Sequence, residues 1–67
     1  MAYDVTALRG FGTARVAMDT TEGSCTGRIV QDKLGDEPVM LLFARDDRPE
    51  PLEFVVPVES IVRISTL

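Results

Sequence analysis

The sequence predicts an all-β domain, a small closed barrel of five short strands preceded by a short helix or an extended arm. Three observations carry that prediction. Short runs alternating apolar and polar residues recur at regular spacing, bounded by Gly, Pro, Asp and Ser. Near the end, Leu52-Glu53-Phe54-Val55-Val56 and Ile61-Val62-Arg63-Ile64 are separated only by Pro57-Val58-Glu59-Ser60, which favours a single helical turn and hence a sharp corner. Finally, Gly27 interrupts an otherwise regular strand, the mark of a bulge, a bend or a close backbone approach.

The elements follow in order. Tyr3, Ala7, Leu8 and Phe11 fall at helical spacing, with Asp4 as a cap and Gly10 and Gly12 as stops. Val5 and Thr6 are poor helix formers, so residues 1–12 read as a short helix or as an arm packed on the barrel. Thr13 to Asp19 is the first strand, with Ala14, Val16 and Met18 on one face. Thr20 to Gly23 forms a turn in which the glycine supplies a positive φ. Ser24 to Gln31 returns with Cys25, Gly27 and Ile29 facing one way. Asp32 to Pro38 reads as a polar loop.

Val39 to Ala44 is apolar on both faces, Val39, Leu41 and Phe43 on one and Met40, Leu42 and Ala44 on the other. A strand of a solitary small barrel needs only one apolar face, so this one has a second surface to hide. Val55 lies on the outward phase of the next strand and extends that surplus. Met40, Leu42 and Val55 are therefore the candidates for an interface between copies of the chain.

Composition narrows the function classes. A single domain of 67 residues buries only about 60% of its unfolded surface and needs reinforcement. One cysteine and no histidine leave neither a disulfide within the chain nor a zinc site, so no metal or cofactor is expected and oligomerisation is the remaining device. The lone thiol, the absence of a signal-like start and the lack of a long apolar run point to a soluble cytosolic protein away from membranes. A net charge of −4 opposes a broad nucleic-acid footprint, although a few arginines can still gather on one face.

From Leu8 to Leu42 the chain resembles the first motif of Sm-like proteins: a short helix, Val16-Ala17-Met18, a turn with Gly23, then Gly27-Arg28-Ile29-Val30 and a later aliphatic strand. Val56 to Ile64 is similar to the strand, turn and strand that close that fold. The resemblance implies an SH3-like or Sm-like five-stranded barrel and a ring-forming habit. It does not extend to the family's RNA-binding residues: the chain has no asparagine, and no Arg-Gly pair follows Phe43. The ending is also similar to that of the type II dihydrofolate reductases, which are SH3-like tetramers. Glu53, Phe54, Val55 and Val56 stand where that family has its Val-Gln-Ile-Tyr site motif.

No catalytic constellation emerges. Without histidine, acid–base work falls to loop carboxylates, whose spacing fits solvated turns better than a metal loop. Cys25 faces inward and reads as a small hydrophobe. In the first hairpin Arg15 falls opposite Arg28 on the outer face, an unfavourable pairing unless an anion lies between them. That anion is expected to be a carboxylate such as Glu53, a phosphate or an acidic peptide. Arg15, Arg28 and Arg63 are thus the candidates for anion or RNA binding. Three readings follow: a non-catalytic homo-oligomeric assembly module that can also engage a protein partner, an Sm-like RNA-binding ring, and a ligand or enzymatic site at an oligomer axis.

Overall fold

A computed structural model describes residues 3–50 and 52–67. The order is α1 (Val5–Arg9), β1 (Val16–Thr20), β2 (Gly23–Leu34), β3 (Met40–Arg45), β4 (Leu52–Pro57), a 3-10 turn (Val58–Ser60) and β5 (Ile61–Thr66). The fold is all-β apart from one short helix. All pairings are antiparallel, in one sheet of order β4-β3-β2-β1-β5.

Local chemistry explains the helix, which is too short to persist alone. The Asp4 carboxylate accepts from the Ala7 N–H at 2.7 Å, and the Gly10 N–H returns to the Ala7 carbonyl. Leu8 then docks in the core at 1% exposure, and the Ile64 N–H donates to the Tyr3 hydroxyl at 3.3 Å. Of the two alternatives for the N-terminal segment, the helix is the one adopted. The turn that follows occupies residues 10–13, so β1 starts at Val16 and not at Thr13.

The first hairpin closes as expected, with Val16 opposite Gly27 and Thr20 opposite Gly23. The Thr20 hydroxyl accepts from the Glu22 N–H and donates to the Gly23 carbonyl, fixing the two-residue loop. β2 pairs with β1 from Gly23 to Gly27 and with β3 from Gly27 to Leu34, changing partner at that glycine. A Cβ on Gly27 would lie 2.0 Å from the Ala44 carbonyl oxygen, so only glycine permits the approach. β2 runs three residues beyond Gln31 because two irregularities keep it in step with β3, ending with Leu34 opposite Met40.

One core draws on both ends of the sheet: Val56 from β4 and Ile61 and Ile64 from β5 cluster with Met18, Leu41 and Phe43. Phe43 meets Phe54 edge to face at 6.0 Å. The sheet therefore folds over a single interior, yet among the described residues no ladder joins β4 to β5. The expected all-β, five-stranded small domain is the one adopted, its sheet folded over one interior but left open between β4 and β5 among the described residues. No helix among the described residues is long and apolar enough to cross a membrane.

Candidate functional site

The three candidate arginines are not brought together. Arg15 precedes β1, and Arg63 lies opposite Asp19 near the other end of that strand, about 13 Å away at ~3.3 Å per residue. Arg28 is on β2, opposite Ala44.

An anion does serve Arg15, but it is Asp46 and not Glu53. The Arg15 guanidinium donates to both carboxylate oxygens, Nε to Oδ2 at 2.8 Å and Nη2 to Oδ1 at 3.0 Å. The Thr26 hydroxyl also donates to Oδ1, at 2.8 Å, and the Asp46 N–H bonds the Thr26 carbonyl at 2.9 Å. The loop after β3 is thereby pinned to the first hairpin. These hydrogen bonds, Arg15 first and Thr26 second, hold the Asp46 carboxyl down at about 2, with Arg28 adding a smaller attraction. Sequence reasoning missed Asp46 because its place depends on β3 pairing with β2 across Gly27. The only available signal was an acidic pair in a turn.

The depressed carboxyl has a stability consequence. Its folded pKa lies below the ordinary 3.8, so the stabilisation is present above about pH 4 and is lost as pH falls towards 2. Asp46→Asn is expected to melt below the wild type at pH 6, with the gap closing between pH 4 and pH 2, roughly as Asp46 protonates. Parallel thermal melts check this; a gap independent of pH would refute it.

The interface candidates lie where their phase puts them. Leu41 and Phe43 are fully buried, while Met40 and Leu42 are half-buried on the opposite face and Val55 is 48% exposed. Across the ladder Leu42 stands opposite Val55, and Met40 opposite Pro57. Val30, also exposed, extends the strip onto β2. The two sheet edges are apolar as well, with Leu52 and Val55 exposed on β4 and Val62 on β5, where a register shift turns it outward.

A cleft of about 330 Å³ opens between the first hairpin and β4, over Met18, Cys25, Phe54 and Val56, with Glu22, Arg45 and Arg48 on its rim. Arg45 is fixed by two hydrogen bonds to Asp47, at 2.7 and 2.8 Å, which also lower the Asp47 pKa. Burial raises the Cys25 thiol pKa and outweighs the opposing pull of Arg45, so the neutral thiol dominates at pH 7. Among the described residues no group of three or more His, Cys, Asp or Glu comes together as a metal site.

Arg9 pairs with Asp32 at 2.8 Å and Lys33 with Asp36 at 3.0 Å. Among the described residues, Arg28, Arg48 and Arg63 are the basic side chains without an ion-pair partner. Comparison of the chain with protein-family models, curated proteins and solved structures finds no match.

Proposed function

We propose that this domain is a non-catalytic assembly module of the SH3-like or Sm-like kind, acting as a homo-oligomer with Met40, Leu42 and Val55 at the contact between copies. The supporting observation is the second apolar surface of β3. Leu41 and Phe43 fill the core, so Met40 and Leu42, with Val55 beside them, form apolar surface that folding leaves in contact with water. Removing such surface from solvent is worth roughly 25 cal/mol per Å², a large contribution for so short a chain. The cleft chemistry is in keeping with a non-catalytic role, since burial raises its thiol pKa and one of its two arginines, Arg45, is committed to Asp47. A single buried cysteine is in keeping with a reducing, cytosolic setting.

Light scattering behind size exclusion tests this reading. The wild type is expected at a multiple of the 7.4 kDa chain mass, and Leu42→Asp at the mass of one chain with its circular dichroism unchanged. A wild type that elutes as a single chain at high concentration would overturn it.

A further inference from the structure

The outer face of the sheet carries a charge pattern that is complementary to itself. Arg28 on β2 stands opposite Ala44 on β3, and Ala44 stands opposite Glu53 on β4, so one row across three strands reads positive, small, negative. Both charged side chains are exposed, and neither has an ion-pair partner among the described residues. They are two strands apart, roughly 10 Å, with only a methyl group between them. Asp46, which feels a small attraction from Arg28, is already held by Arg15 and Thr26. In the adjoining outward row Gln31 on β2 stands opposite Leu42 on β3 and Leu42 opposite Val55 on β4, with the exposed Val30 beside Gln31 at the irregularity in β2.

We propose that this face pairs with the same face of a second copy about a two-fold axis running along β3, so that Arg28 of each copy meets Glu53 of the partner subunit. The proposal rests on the self-assembly reading above and specifies its geometry. A two-fold axis along the middle strand exchanges the β2 and β4 sides while keeping each row at its own level. Arg28 therefore faces Glu53 of the partner subunit twice, Leu42 meets its own copy on the axis, and Gln31 with its bulged neighbour Val30 lies over Val55 of the partner subunit. Packed sheets stand about 10 Å apart, a gap that an arginine and a glutamate reaching towards each other span. A two-fold axis running across the strands at Leu42 would instead set Arg28 over Leu34, the β2 residue opposite Met40, desolvating a charge without a partner. The charge row selects the first arrangement, and such an isologous contact closes after two copies.

Arg28→Glu and Glu53→Arg test this, each judged for folding by circular dichroism and for mass by sedimentation velocity. Each variant alone places like charges at both contacts and is expected to weaken self-association about tenfold or more. Mixing the two variants in equal amounts puts opposite charges at both contacts of the mixed pair, and the wild-type mass is expected to return. Folded single variants that assemble like the wild type, or a mixture that stays dissociated, would overturn this geometry while leaving self-assembly standing. A wild type that is itself monomeric would overturn both.

Discussion

Gly27→Ala is expected to unfold the domain at room temperature. The added Cβ would lie 2.0 Å from the Ala44 carbonyl oxygen and 2.8 Å from both the Ala44 carbonyl carbon and the Arg45 Cα. These are backbone atoms of β3, so no side-chain rotation relieves the clash; the ladder must part. β2 exchanges β1 for β3 at this residue, and separation here would disconnect the two halves of the sheet. Overpacking against mobile side chains costs about 1–3 kcal/mol, and against fixed backbone the cost lies at or beyond the top of that range. A chain of this size holds on the order of 5 kcal/mol in total. Urea unfolding followed by circular dichroism checks the outcome, and a midpoint near that of the wild type would refute the close approach.

Phe43→Ala is expected to have an effect of similar size from a different cause. Phe43 is at 0% exposure, opposite Ile29 on one side and Phe54 on the other. Truncating a buried phenylalanine costs about 3–5 kcal/mol, part of it the cavity left behind. The adjacent Leu42 points the other way, and Leu42→Ala measured in dilute protein is expected to cost about 1 kcal/mol or less. The contrast between neighbours reads the strand's phase directly. Equal losses at positions 42 and 43 would contradict the assignment of an inner and an outer face.

Features set by local chemistry were legible in the sequence. The Asp4 cap, the Thr20–Gly23 turn and the 3-10 corner at Val58–Ser60 depend on residues within a few positions of one another. The inward phase of Val16, Met18, Cys25, Ile29, Leu41 and Phe43 follows from alternation alone. Features set by distant pairing were not legible. Lys33 and Asp32 look like loop residues, yet they extend β2 because β3 lies alongside and Arg9 reaches Asp32 from the helix. Arg15 does meet an anion, but the identity of that anion, Asp46, rested on where the β3–β4 loop returns. Edge closure was equally hidden, because it depends on the curvature of the whole sheet and not on any one strand's pattern.

Self-assembly through the outward strip of β3 has one most direct test, sedimentation equilibrium of the unmodified chain over a wide concentration range. The expected result is a mass that rises from the 7.4 kDa of one chain to a plateau at a whole multiple of it. A single species at 7.4 kDa across the whole range would contradict it.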